Sequence, residues 1–188
     1  MLIGWLYSVN VTDMIAEKKP IKKRDIRDIR LLLDDIRSVH NVGSIFRTAE
    51  TLGISQIYCA GTTPTPMDRF GRKRCDFSKV ALGAEDMVAW EYVEKADGKT
   101  GNLELVKRLK KEGFKVVALE QADNSIDYKE VEVPKKVLVI LGNEVDGVSP
   151  RLLKLADVVA EIPLKGQKES LNVSVAAGIA LFRWFDHS

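Results

Sequence analysis

Three short segments hold side chains whose types and spacing suit ligand chemistry. The first is Asn41-Val42-Gly43-Ser44-Ile45-Phe46-Arg47, with a side-chain amide and a guanidinium six positions apart. The second, Gly142-Asn143-Glu144-Val145-Asp146-Gly147, has glycines at both ends, which let a backbone come close to a ligand or take unusual dihedrals. In the third, Pro163-Leu164-Lys165-Gly166 is followed by Ser170-Leu171-Asn172-Val173-Ser174, where hydrogen-bonding side chains alternate with apolar ones. Each has an ordinary structural reading as well. Arg47 can pair with Glu50 on a helix surface, Asn41 can cap a helix, Ser170 or Asn172 can do the same, and the glycine-flanked segment can be a plain turn. Spacing alone does not choose between these.

The elements around the segments favour a shared location. Ile29 to Leu33 reads as a buried strand, followed by a helix with Val42, Ile45, Phe46, Ala49 and Leu52 on one face, Asn41 as its N-cap and Gly53 at its end. Strands are expected at Ile54 to Ala60, Met87 to Val93, Lys115 to Leu119, Val137 to Leu141 and Val158 to Ile162. Helices are expected after Asn102, ending at Gly113, from Ser149-Pro150 to about Leu155, and from Leu171 to Phe185. Gly61 to Ser78 reads as one long loop, a length that in a compact domain usually serves function. This alternation predicts an α/β fold, a mostly parallel sheet with helices on both faces. The three segments then lie beyond the carboxyl ends of strands, where such sheets gather ligands.

Composition bounds the partners. The chain of 188 residues is 45% hydrophobic and 30% charged with a net charge of +2, which describes an ordinary globular protein. One domain is expected at residues 29–188, with residues 1–28 as a partly basic arm too short to fold alone. No apolar run reaches the roughly 20 residues of a membrane span, and the first residues do not form a signal peptide, so the expected location is the cytoplasm. Cys59, Cys75, His40 and His187 lack the spacing of a zinc site or disulfide framework, so no metal is expected. Two basic stretches suit a phosphate backbone: Lys18 to Arg30, and Arg69, Arg72, Lys73 and Arg74 with Lys79. A solvated surface is the alternative for both. Dinucleotide fingerprints, a P-loop, a nucleophile elbow and a Ser-His-Asp triad are unsupported.

Taken together, the three segments resemble the three motifs of the SpoU, or TrmH, family of RNA ribose 2'-O-methyltransferases in the SPOUT superfamily. Asn41 to Ala49 resembles the first motif, Leu141 to Ser149 the second, and Ile162 through Ala176 the third. Leu164 stands where a methionine is common, and the separate RNA-binding domain of many relatives has no counterpart in residues 1–28. The resemblance implies S-adenosylmethionine-dependent methyl transfer to a ribose of tRNA or rRNA, a C-terminal trefoil knot, and a homodimer. First-motif residues of one chain would then face third-motif residues of its partner. It places Arg47, Asn41, Glu144, Ser170 and Asn172 in the catalytic site, and Leu119, Glu120, Gly142, Ile162 and Leu171 around the cofactor. An RNA-binding module that keeps the fold without activity, or an unrelated nucleotide-using α/β protein, are the alternatives.

Overall fold

The computed structural model describes residues 27–94 and 101–185. The basic stretch from Lys18 to Arg24 and most of the 1–28 arm lie outside them. Seven strands, β1 (Asp28–Asp34), β2 (Gln56–Ala60), β3 (Trp90–Val93), β4 (Lys115–Leu119), β5 (Ile126–Asp127), β6 (Lys136–Leu141) and β7 (Val158–Glu161), form one sheet in the order β3-β2-β1-β6-β4-β7-β5. Every pairing is parallel. The helices are α1 (Val39–Leu52), α2 (Cys75–Ala81), α3 (Gly101–Lys111), α4 (Pro150–Leu153) and α5 (Val173–Phe185).

The apolar strands are continuous because both faces are covered. Alternate residues Leu31, Leu33, Val137, Val139 and Leu141 point into a core shared with α1, α2 and α5. Leu32, Leu138, Ile140, Val116 and Ala118 point the other way, toward α3 and α4. None of the described helices is long and apolar enough to cross a membrane.

The expected elements are present, with differences at their ends. Ser38, not Asn41, caps α1, its side chain accepting from the Asn41 amide, so Asn41 lies inside the first turn. The expected loop from Gly61 to Ser78 ends earlier, because Cys75 begins α2; Phe77 and Ala81 bury one side of it, and Val80 packs so closely on α1 that only a glycine fits at 43. Asn102 sits within α3 and donates to the buried Asp34 carboxylate at 2.6 Å. Helix α5 starts at Val173, two residues later than the sequence suggests, since Asn172 closes its first turn by accepting from Ser174 and Val175. Strand β5 has only two residues, too few to leave a period.

Sheet order also sets a re-entry. The chain runs from β4 out to the edge at β5, back to β6, and then returns as β7 between β4 and β5. The carboxyl ends of β1, β2, β4, β6 and β7 therefore converge on one edge.

Loops at that edge are fastened by buried polar contacts. Thr63, buried after β2, donates to the Leu33 carbonyl at 3.0 Å and accepts from the Ile36 amide at 3.1 Å. Thr63→Val keeps the shape and removes both hydrogen bonds. It is expected to destabilise the fold by about 1–3 kcal/mol, read as a lower urea midpoint with an unchanged slope.

Candidate active site

The second segment leaves β6 as a tight turn. Asn143 and Gly147 exchange backbone hydrogen bonds at 3.0 Å, while the Asn143 side chain accepts from the Val145 and Asp146 amides and donates to the Asp35 carbonyl at 2.7 Å. Gly142 is required by close approach: a Cβ there would overlap the backbone of Gly147 and Val148. Glu120, at the end of β4, accepts from the Val148 amide at 2.6 Å and so fastens the turn to the neighbouring strand.

Glu144 projects from this turn to the start of α1. Its carboxylate accepts from the Arg37 and Ser38 amides at 3.1 and 3.2 Å and from the Asn41 side-chain amide at 2.8 Å. The Ser38 amide is among the unpaired backbone donors at a helix start, where negative charge is favoured. Asn41 in turn accepts from the Asn172 side chain at 3.0 Å, and Asn172 uses its own carbonyl to cap α5. Each amide is thus oriented by the next partner. The network joins the first, second and third segments within one chain.

Burial alone would push the Glu144 carboxyl up, but the hydrogen bonds from Arg37, Asn41 and Ser38 together outweigh it and hold it below the usual glutamate range. A depressed folded-state value means that the charged form stabilises the fold above the unfolded value. That contribution is lost as pH falls through the folded value. Glu144→Gln should accordingly be less stable than the parent at neutral pH, with the difference shrinking below about pH 4.3. Thermal melts across pH 3–7 check this; a constant difference would contradict it.

Beside the network lies a cleft of about 360 Å³. Leu119, Glu120, Gly142, Ile162 and Leu171, the residues that the resemblance places around a cofactor, all line it, together with Gln121, Leu141, Leu164, Glu161, Glu169 and Ser170. Its size suits a small organic ligand. Leucine and isoleucine walls suit an aromatic base, and the carboxylates of Glu120, Glu144, Asp146, Glu161 and Glu169 suit a ligand carrying positive charge.

Arg47 is placed differently. It is exposed on α1, about 9 Å further along the helix axis than Asn41. It does not line the cleft of its own chain. The surface pair with Glu50 is absent among the described residues. Asn41, by contrast, meets Asn172 of its own chain, which corrects the expectation that it faces a partner's third segment.

The four basic residues after β2 separate into two kinds. Lys73 pairs with Glu85 and Asp86, Arg74 with Asp76 at 2.7 Å, and Arg72 with Asp68 at 2.7 Å. Arg69 makes no ion pair among the described residues and lies over the Phe70 ring at 4.7 Å. Phe70 and Tyr92 are the residues that sequence reasoning passed over; the available signal was an aromatic set between two arginines.

The sequence profile of the SpoU rRNA Methylase family matches residues 28–182. The chain belongs to that family. Among its SpoU relatives, a tRNA (guanosine(18)-2'-O)-methyltransferase of Aquifex aeolicus is 29% identical over 90% of this chain and 76% of its own length. The protein of the same name from Thermus thermophilus is 31% identical over 86% of this chain and 76% of its own. The fold matches an S-adenosylmethionine-bound rRNA methyltransferase of Sinorhizobium meliloti with a TM-score of 0.70 at 28% identity. That match covers 83% of this chain and 55% of the other, so the SpoU chain here spans about half of that protein. The SpoU match takes in the cleft and the Glu144-Asn41-Asn172 network entirely.

Proposed function

We propose that the protein transfers a methyl group from S-adenosylmethionine to a ribose 2'-hydroxyl of tRNA or rRNA in the cytoplasm. The observation that carries this is a nucleoside-sized, carboxylate-lined cleft joined to a network of all three SpoU segments. The bound cofactor supplies an electrophilic methyl group on a sulfonium. Leu119, Glu120, Gly142, Ile162 and Leu171 hold its adenosine and methionine parts. Transfer forms a carbon–oxygen bond, breaks a carbon–sulfur bond and releases the hydroxyl proton. It needs alignment above all, together with stabilisation of charge on the hydroxyl oxygen.

Arg47 meets that second need. A guanidinium remains protonated at any working pH, so it serves poorly as a base and well as a fixed cation for a phosphate and for developing negative charge. Asn41, Glu144, Ser170 and Asn172 organise the site. Ser170 is an exposed cleft residue, free to meet substrate.

A homodimer supplies Arg47 to the cleft. Val175, Ile179 and Phe182 form an exposed apolar stripe along α5, which packs on α1 on the same face of the sheet. A second copy covering that stripe brings one chain's Arg47 toward the other's cleft. The re-entry of β7 between β4 and β5 accommodates the trefoil crossing that the resemblance implies.

Incubation of the purified protein with labelled S-adenosylmethionine and total RNA tests the reading. Label should enter RNA and leave an alkali-resistant dinucleotide. Label on bases overturns the ribose assignment, while RNA binding without transfer favours a binding module.

A further inference from the structure

Beyond β2 lies a second cleft, of about 510 Å³, lined by Phe70, Tyr92, Arg69, Arg72 and Arg74. We propose that it holds one unpaired nucleotide of the RNA substrate, with the base stacked on Phe70 and the phosphate taken by Arg69. This rests on the RNA reading above and names a contact that the reaction chemistry does not require.

The tip that carries Phe70 is built rather than loose. Asp68 accepts from the Phe70 and Arg72 amides at 2.8 and 2.9 Å and from the Arg72 guanidinium at 2.8 Å. Gly71 takes a φ of 75°, a conformation that suits glycine, and Met67 bridges Lys73 across the tip. Phe70 is nevertheless 66% exposed and Tyr92 43%. A fixed turn that holds a phenylalanine ring in solvent keeps apolar surface wet unless something covers it.

Charge and shape favour a nucleotide as the cover. The Arg69 and Arg72 guanidinium groups lie 4.7 and 5.1 Å from the Phe70 ring centre. Aromatic rings beside arginine planes stack splayed-out bases with little regard to sequence. Arg72 and Arg74 are held by Asp68 and Asp76, which leaves Arg69 as the cation most open to a phosphate. The Tyr92 hydroxyl donates to the Gly61 carbonyl at 2.9 Å, so its ring is fixed as a wall. Thr63 fastens this loop to the segment leading into α1, which places the cleft on the same sheet edge as the proposed reaction centre.

The test is anisotropy with a fluorescent single-stranded oligoribonucleotide and its abasic analogue, using the full chain. Phe70→Ala should weaken binding of the base-bearing strand about 5- to 150-fold. It should leave the abasic strand and the affinity for S-adenosylmethionine unchanged. Phe70→Trp should retain binding and add fluorescence quenched by RNA. Arg69→Gln should reduce the slope of log affinity against log salt by about one, and Phe70→Ala should leave that slope alone. Equal affinity of Phe70→Ala and parent for the base-bearing strand overturns the proposal, as does equal loss on both strands. If the parent binds neither strand, the RNA reading fails first and this proposal with it.

Discussion

Arg47→Ala is expected to lower methyl transfer to RNA by about 100- to 1,000-fold, the usual effect of removing one group that stabilises developing oxyanion charge. Calorimetric affinity for S-adenosylmethionine should not change, because in the proposed dimer Arg47 meets the phosphate and the acceptor hydroxyl of the RNA and not the cofactor. Parallel losses of transfer and cofactor affinity would contradict this placement. The same variant reports on the proposed dimer. A second variant, Ile162→Trp, fills the cleft and should be inactive alone through lost cofactor binding. Unfolded and refolded together, the two inactive proteins should regain activity, since each mixed dimer has one cleft opposite an intact Arg47. If no activity returns, Arg47 acts within its own chain and the trans arrangement is wrong.

Gly142→Ala should be strongly damaging for the addition of a single methyl group. The added carbon meets backbone atoms of Gly147 and Val148, which cannot rotate away as a side chain would. Those atoms are held in turn by the paired hydrogen bonds between Asn143 and Gly147 and by the Glu120 carboxylate. Strain of this kind costs about 1–3 kcal/mol, or several degrees of Tm in a domain of this size. Displacement of the turn should also weaken S-adenosylmethionine binding by about tenfold or more. Gly166→Ala is the control, because a Cβ there meets nothing. Similar behaviour of the two variants would show that the Gly142 turn yields freely.

Much of this arrangement is legible in the sequence. Buried parallel strands announce themselves as apolar runs, so β1, β4 and β6 were readable almost to the residue. Their chain order, with helices between, implied both covered faces. The five residues that the resemblance places around the cofactor all line one cavity. What escaped were features set by partners distant in sequence. Asn41 reads locally as a helix cap, and only the arrival of Glu144 and Asn172, 103 and 131 positions away, makes it a link between segments. Lys73 and Arg74 read locally as free cations, yet carboxylates pair with both. Helix α2 escaped because its seven residues carry an apolar side of only Phe77, Val80 and Ala81, too short for a period.

Strand order has a consequence for synthesis. Strands β1, β2 and β3 pair in the order in which they leave the ribosome, so that half of the sheet can assemble as it emerges. Strand β4 must wait, since both of its neighbours, β6 and β7, are made later, and β5 pairs only with β7. At about 5–20 residues per second, β4 spends seconds with open edges. The cofactor half should therefore form in one late step, when β7 and α5 are released. Protease protection of stalled nascent chains should appear first over β1 to β3, and over β4 only once residues beyond Glu161 are clear of the tunnel.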